Sequence, residues 1–323
     1  MGRNWGWTIG GACFCMLSAW GSAPKLTTLL PEAIADPIPM RIEASPASET
    51  RTDTLEWRAY GVRYQLDIPR TPNAPTRREF LCYTLTLERR LNRLPLFEWR
   101  EAGNASSMPA PVNPRRVAVL VVGDLQGGYE FLQQIEYTPV KLPTALPLSV
   151  EPKTFPLTPI YLRPEQLPDH PAALLSVPFI VLTEGAERLS AAQQHALALW
   201  LHAGGQLIVP LGGWASFLRR TALAPYLPTW DAPRMQTLSQ PLKLHGADAP
   251  LQPPRAPAPV ARLSHPRGAP LVQVGAHSLA VRTPCGYGQL IAFGGDLTHP
   301  AWRNWQGQTV LWGEEYYLDH PLV

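Results

Sequence analysis

Residues 177–213 read VPFIVLTEGAERLSAAQQHALALWLHAGGQLIVPLGG. One apolar run opens this stretch (177–182) and another closes it (206–211), and continuous apolar runs are typical of strands that are buried on both faces. Between the two runs, Ser190 and Gln193 form a capping box, which is a common start of an α-helix. The order strand, helix, strand with tight connections predicts a right-handed βαβ unit.

Two further apolar runs repeat the strand pattern along the chain. RVAVLVV (116–122) and GQLIAF (288–293) are both followed by glycine and then aspartate. Because all four runs are short and apolar, we expect them to be neighbouring strands of one mostly parallel sheet that is covered by helices. The pattern therefore predicts the α/β fold class.

The first hundred residues have a different pattern. Segments 54–60, 63–68 and 80–87 alternate apolar with polar residues or are rich in aromatic and β-branched ones, which predicts strands. A β unit of this size is marginal alone, so we expect it to pack on its neighbour. The predicted division is 1–23 signal peptide or N-terminal anchor, 24–105 small β-rich domain, 106–114 linker, and 115–323 α/β domain with a proline-rich insertion at about 225–270.

Composition limits the classes of protein that remain. The chain has 37 prolines among 323 residues, about twice the usual ~5%, which excludes a mostly helical bundle because proline breaks helix interiors. The net charge is +3 with no long basic run, so we expect no nucleic-acid partner. The length allows about two domains.

The N-terminus resembles a signal for export. Arg3 precedes an uncharged stretch from Trp5 to Trp20, and small residues follow up to Ala23, which is the pattern of a secretory signal peptide. The alternative is an uncleaved N-terminal anchor, which would be the chain's only contact with a membrane. Either way, we expect a periplasmic or extracellular protein.

Four cysteines separate into two groups. Cys13 and Cys15 would leave with a cleaved signal, whereas Cys82 and Cys285 would remain, one in each half of the chain. Export permits a disulfide between the latter two, but we favour two buried thiols. The sequence has no CxxC or HExxH motif, so we expect neither a metal nor a cofactor.

Two blocks together resemble a known superfamily. LTEGAERLSAAQQHALALWLHAGGQLIVPLGG (182–213) and GYGQLIAFGGDLTHPAWRNW (286–305) look like the class I glutamine amidotransferase-like superfamily, in particular its exported, uncharacterised bacterial members that lack the catalytic cysteine. The resemblance covers about residues 115–323. It implies a flavodoxin-like three-layer sandwich of helices, a mostly parallel sheet and helices, preceded here by the small β-rich domain.

The catalytic members of that superfamily have a nucleophilic cysteine in a G-x-C-x-G elbow. This chain has no such motif, and Cys285 lies instead in TPCGYG. His299-Pro300 is similar to the family's His-Pro-Glu, but Ala301 replaces the glutamate. Glutaminase chemistry needs a thiolate that is activated by a nearby base, so we expect no glutaminase activity.

The sequence places a candidate site at the carboxyl edge of the predicted sheet, where open α/β sheets bind their ligands. Carboxylates and an imidazole there could act as acids or bases or could hold a cation. Alternatively, Asp124 and Glu184 could cap helices, and His299 could be a turn residue. Glycines could let backbone N–H groups approach a ligand, or could serve only tight turns. The weak catalytic candidates are Asp124, Glu184, Asp296 and His299, and the ligand-binding candidates are Gly127, Gly128, Gly212, Gly213 and Trp214.

These features lead to one functional expectation and two alternatives. The first is an exported, non-catalytic, amidotransferase-like module that binds or assembles with an envelope protein or glycan. The second is an envelope hydrolase that uses the loop carboxylates. The third is a carbohydrate-binding module, which needs at least two of Trp214, Trp302 and Trp305 to be exposed and coplanar.

Overall fold

The structure is a computed structural model that describes residues 24–28, 38–59, 62–82, 96–101, 104–109, 117–137, 155–175, 177–245, 250–264, 268–303 and 305–312. The predicted signal segment 1–23 lies outside these residues, as does most of the predicted linker. The strands are β1 (Lys25–Thr28), β2 (Ile38–Ala44), β3 (Arg51–Ala59), β4 (Val62–Arg70), β5 (Thr76–Cys82), β6 (Leu96–Glu101), β7 (Asn104–Pro109), β8 (Val117–Val122), β9 (Glu136–Tyr137), β10 (Phe155–Leu162), β11 (Phe179–Leu182), β12 (Gln206–Pro210), β13 (Thr229–Trp230), β14 (Arg234–Gln236), β15 (Leu242–Leu244), β16 (Ala258–Val260), β17 (Leu263–Ser264), β18 (Ala269–Val274), β19 (His277–Cys285) and β20 (Gly288–Phe293).

Helices are few in the described part of the chain. The α-helices are α1 (Ala191–His202) and α2 (Pro300–Arg303). The 3-10 helices are Glu130–Gln134, Pro164–Gln166, Pro171–Leu174, Ala186–Arg188, Gly213–Arg220, Ala224–Tyr226 and Gln306–Trp312.

The four apolar runs lie side by side in an eleven-stranded sheet. Its central strands follow the order β10-β8-β11-β12-β20, and every neighbouring pair among these five strands is parallel. The side chains of β8 alternate between two separate apolar cores, because Leu120 belongs to the core on one face and Val121 to the core on the other. The expectation of strands that are buried on both faces is confirmed for β8, β11 and β12.

The flavodoxin-like three-layer sandwich is the wrong fold class. The molecule is mostly β, and its large sheet is mixed, because β19 pairs antiparallel with β20 and further antiparallel strands extend both ends. Two-residue turns at Gly275 and Gly286, which have φ of +55° and +62°, connect β18 to β19 and β19 to β20 as hairpins. Such turns reverse the chain direction and prevent a helical crossover.

Three segments next to the apolar runs form 3-10 helices in place of the α-helices that a three-layer sandwich needs. Residues 129–135 and 214–223 instead contain 3-10 helices, and 305–317 contains another as far as Trp312, beyond which the chain is outside the described residues. A 3-10 helix is a short, tightly wound element, so these segments do not form the full helical layers of a three-layer sandwich. The proline-rich insertion at about 225–270 contributes the short strands β13 to β17.

The βαβ unit of 177–213 forms as the sequence predicts. Ser190 Oγ accepts a hydrogen bond from the Gln193 amide at 3.2 Å, and Gln193 Oε1 accepts one from the Ser190 amide at 2.8 Å. The Gln193 side chain also donates to the carbonyl oxygens of Pro164 and Leu167, both at 2.7 Å. The capping box therefore fixes both the start of α1 and the loop that follows β10.

Two smaller sheets near the N-terminus share a core of their own. One has the order β1-β2-β5 and the other β4-β3-β6-β7. Apolar side chains from both sheets pack together between them, including Ile42, Leu55 and Trp99. A buried ion pair, with 2.8 Å between Arg70 Nη1 and Asp53 Oδ2, lies in the same unit. The arrangement is a seven-stranded sandwich built from the described strands.

Replacement of Ser190 by alanine tests the capping box. We expect Ser190→Ala to lower the free energy of unfolding by about 1 kcal/mol, because the first turn of α1 loses a side-chain acceptor. Ser190→Asp keeps an acceptor at the same position and should retain most of the stability. Urea denaturation of the three proteins measures the difference, and equal losses for alanine and aspartate would contradict the assignment.

Candidate functional site

The loops that follow β8 and β11 meet at the carboxyl edge of the large sheet. The amide of Asp124 donates a hydrogen bond of 2.7 Å to the carbonyl oxygen of Glu184. Gly185 has φ of +96°, and a Cβ there would lie 2.6 Å from the carboxyl carbon of Asp124. Glycine is therefore required at this position for both backbone conformation and space.

Asp124 is held by an arginine rather than presented to a ligand. The guanidinium of Arg188 contacts both carboxylate oxygens, with Nη2 to Oδ1 at 2.5 Å and Nη1 to Oδ2 at 2.9 Å. Its Nε donates to Glu165 Oε1 at 3.1 Å. The hydrogen bonds from Arg188 keep the pKa of Asp124 below its usual value, with a smaller contribution from the charge of Arg163. Asp124 is consequently a poor general acid or base near neutral pH.

Asp296 and His299 act within their own loop. Asp296 Oδ1 accepts hydrogen bonds from the amide and the hydroxyl of Thr298, at 2.9 and 2.6 Å. His299 Nδ1 accepts one from the amide of Ala301 at 3.3 Å, where α2 begins. The Asp296 contacts form a side-chain turn within the loop, and the His299 contact caps the start of α2. The side chain of Glu184 is exposed.

A cluster that sequence reasoning missed surrounds the two candidate glycines after β8. The amide of Gly128 donates to both carboxylate oxygens of Glu130, at 3.1 and 2.8 Å. The hydroxyl of Tyr161 donates to Glu130 Oε1 at 2.9 Å and accepts from the Tyr129 amide at 2.9 Å. Burial and the neighbouring Glu130 raise the pKa of Tyr161 to about 12. A side chain of the protein thus already binds the Gly128 N–H that was proposed for a ligand.

The remaining binding candidates follow β12. Gly212 and Gly213 lead into the 3-10 helix Gly213–Arg220, and Trp214 is partly buried, with its ring centroid 6.3 Å from that of Phe217. Trp302 and Trp305 are both buried, and their indole N–H groups donate to the carbonyl oxygens of Pro259 and Gln252. The exposed aromatic surface that the carbohydrate-binding alternative requires is therefore not formed by these three tryptophans.

Both later cysteines are buried thiols that form no disulfide, which confirms the preferred interpretation of the sequence. Cys285 lies at the amino edge of β20, the edge opposite the candidate loops, because it pairs with Gly288 at the start of that strand. Burial raises the pKa of the Cys285 thiol, which opposes formation of a nucleophilic thiolate.

A polar cleft of about 490 Å³ lies beside the Asp124–Arg188 pair. One wall comes from the N-terminal sandwich, where Arg41 of β2 and Glu79 of β5 form an ion pair at 2.7 Å. The other wall comes from the loops between β10 and α1. Its charged lining residues are Arg41, Glu79, Glu165, Asp169 and Arg188, and its polar ones are Gln166, His170, Ser190 and Gln193.

Two further observations concern the described residues as a whole. They contain no group of three or more histidine, cysteine, aspartate or glutamate side chains that is arranged to hold a metal ion. Among their helices, none is both long enough and apolar enough to cross a membrane.

Comparison with known proteins gives distant likenesses only. No model of a protein family and no curated protein matches the chain. Among solved structures, the cytoplasmic protein STM1381 from Salmonella typhimurium LT2 is 16% identical, with 62% of this chain and 95% of that one covered and a TM-score of 0.36. The cytoplasmic protein STM3548 from Salmonella typhimurium is 14% identical, with 61% and 96% covered and a TM-score of 0.36. A catalytic mutant of Gan42B, a GH42 β-galactosidase from G. stearothermophilus, is 12% identical, with 61% and 29% covered and a TM-score of 0.34.

Substitution of Gly185 tests the contact between the two loops. We expect Gly185→Ala to lower the free energy of unfolding by about 1–3 kcal/mol, because a left-handed alanine is strained and its Cβ would overlap Asp124. Gly127→Ala is the matched control, since its Cβ would meet only a flexible glutamate oxygen at 3.3 Å. Equal stabilities of the two variants in urea denaturation would contradict the loop geometry.

The charge state of Asp124 provides a second test. In Arg188→Gln we expect the pKa of Asp124 to rise towards the unperturbed value of about 3.9, whereas Arg163→Gln should raise it less. Because the pKa is depressed in the folded state, the ion pair stabilises the fold above the unfolded pKa, and this contribution is lost as the pH falls through the folded pKa. Carboxyl ¹³C NMR titration measures the shift, and an unchanged pKa in Arg188→Gln would refute the pairing.

Proposed function

We propose that the chain is an exported, non-catalytic module that binds a polar partner, an envelope protein or glycan, at the bacterial cell envelope. The observation that carries this proposal is that three of the four candidate catalytic groups, Asp124, Asp296 and His299, are engaged within the protein, while a polar cleft beside the Asp124–Arg188 pair is open. Binding requires the cleft alone, whereas catalysis would require one of those groups to be free.

The state of the candidate catalytic groups supports a non-catalytic role. A general base must reach the proton that it removes and must have a pKa near the working pH. Asp124 fails on both counts, because Arg188 contacts both of its oxygens and lowers its pKa. The hydrolase alternative would need this ion pair to open when substrate binds.

The lining of the cleft indicates the chemistry of the partner. It carries two cationic and three anionic side chains together with amide and hydroxyl groups. A ligand that carries both amino and carboxyl groups could pair with each sign, whereas an apolar ligand would leave the buried polar groups without partners. Peptide chains and peptide-bearing glycans have this chemistry.

The place of action is proposed from the N-terminal sequence. Arg3, the uncharged stretch that follows it and the small residues up to Ala23 favour export. The resemblance to the exported amidotransferase-like proteins without a catalytic cysteine, which rests on 182–213 and 286–305, supports the same compartment. The position of Cys285 supports the absence of glutaminase activity, because this buried thiol is separated from the candidate loops by the length of β20.

Thermal unfolding of the full chain in the presence of soluble peptidoglycan fragments tests the proposal. These fragments carry both amino and carboxyl groups, so we expect them to raise the unfolding midpoint in a concentration-dependent manner. The double variant Arg41→Gln, Asp169→Asn should lose the shift while its midpoint without ligand stays close to that of the unaltered chain, because both side chains are at the surface of the cleft.

Lys243→Gln is the matched control, since Lys243 lies in β15 and not in the cleft. It should respond to the fragments as the unaltered chain does. Cleavage of the fragments that is abolished by Asp124→Asn would overturn the non-catalytic role. A thermal shift that survives in the double variant, or its absence in the unaltered chain, would overturn the assignment of the cleft.

A further inference from the structure

Three metal-ligating side chains meet at the amino edge of the large sheet, away from the cleft. The sulfur of Cys285 lies 3.6 Å from His202 Nε2, and the hydroxyl oxygen of Tyr226 lies 3.1 Å from the same nitrogen. The cysteine comes from the end of β19, the histidine from the end of α1 and the tyrosine from the 3-10 helix Ala224–Tyr226. We propose that Cys285, His202 and Tyr226 form a binding site for a thiophilic cation such as Zn²⁺.

The spacing matches that of ligands around one tetrahedral ion. With Zn–S bonds of about 2.3 Å and Zn–N and Zn–O bonds of about 2.0 Å, adjacent ligands lie roughly 3.5 Å apart for sulfur and nitrogen and roughly 3.3 Å apart for nitrogen and oxygen. The observed separations are 3.6 and 3.1 Å. Both separations from His202 Nε2 therefore fit ligands of one tetrahedral ion.

The surrounding backbone holds the sulfur against the imidazole. The turn that follows Cys285 closes on the end of α1, where the Tyr287 amide donates to the His202 carbonyl oxygen at 3.0 Å. Gly286 has φ of +62°, and a Cβ there would lie 2.6 Å from the same carbonyl oxygen. This close approach requires glycine, and it fixes the distance between two ligands that are far apart in sequence.

Access and charge balance are both consistent with an ion. Cys285 is 1% exposed, whereas His202 is exposed, so an ion and a water molecule as fourth ligand can approach from the imidazole side. Binding would replace the thiol proton, which passes to the solvent, by a metal–sulfur bond, while Nε2 of the neutral imidazole donates its lone pair. Tyr226 would bind as a neutral hydroxyl, so the thiolate is the only anionic protein ligand.

Sequence reasoning gave no sign of this site. His202 and Cys285 are 83 positions apart in the sequence and belong to no metal-binding motif. Only two of its three ligands, Cys285 and His202, are of the histidine, cysteine or acidic types, and the third is the phenol of Tyr226. The site is therefore not a group of three histidine, cysteine or acidic side chains. It is independent of the proposed cleft, because it lies at the other end of the parallel strands.

Titration of the full chain with Co²⁺, followed by competition with Zn²⁺, tests the proposal. The protein carries Cys13→Ser and Cys15→Ser so that the N-terminal thiols cannot contribute, and it is kept reduced. We expect a near-ultraviolet thiolate-to-cobalt charge-transfer band and intense visible bands of tetrahedral Co²⁺ that saturate at one equivalent and disappear on addition of Zn²⁺. Cys285→Ser should abolish the charge-transfer band.

His202→Ala should weaken Co²⁺ binding by at least about tenfold, and it should fold normally because His202 is exposed. His195→Ala, an exposed histidine on the same helix, is the matched control and should bind Co²⁺ unchanged. Absence of the charge-transfer band, its persistence in Cys285→Ser, or equal affinities of the two histidine variants would each overturn the site. Circular dichroism of every variant shows that the comparison is made between folded proteins.

Discussion

One row of aliphatic side chains crosses the whole parallel part of the large sheet. Ile160, Leu120, Ile180, Leu207 and Leu290 are direct neighbours on adjacent strands, and all five belong to the same core. The next residue of each strand faces the opposite side, where a second core packs. A shift of one residue in any strand would exchange the two faces, so this double burial fixes the register of the sheet and hence the position of every loop at its edges.

The sequence predicted what depends on short-range pattern. The apolar runs around Leu120, Ile180 and Leu207 became parallel strands, and the Ser190 capping box formed. What it did not predict depends on chain direction and on the type of helix. The two-residue turn at Gly286 makes β19 antiparallel to β20. Such a turn between two strands predicts a hairpin, whereas the family resemblance implied a mostly parallel sheet.

The candidate site shows the same limit more sharply. Glycine and aspartate after β8 and β20 indicated loops at one edge, because the ends of parallel strands coincide. The partners of those side chains could not be predicted, since Arg188 is 64 positions from Asp124 and Tyr161 is 31 from Glu130. Whether a carboxylate is free or paired decides its chemistry, and that depends on tertiary contacts that periodicity does not encode.

The polarity of parallel strands separates the two functional proposals in space. The cleft beside Arg188 lies where strands such as β11 end, whereas Cys285 lies where β20 begins. A strand of six residues spans about 17 Å, which is well beyond the screening length of about 8 Å at physiological salt. A charge gained at the thiol edge by a bound cation would therefore have little direct electrostatic effect on the exposed ion pairs of the cleft. Any coupling between the two edges would have to pass through the packed strands, whose two-sided burial resists displacement.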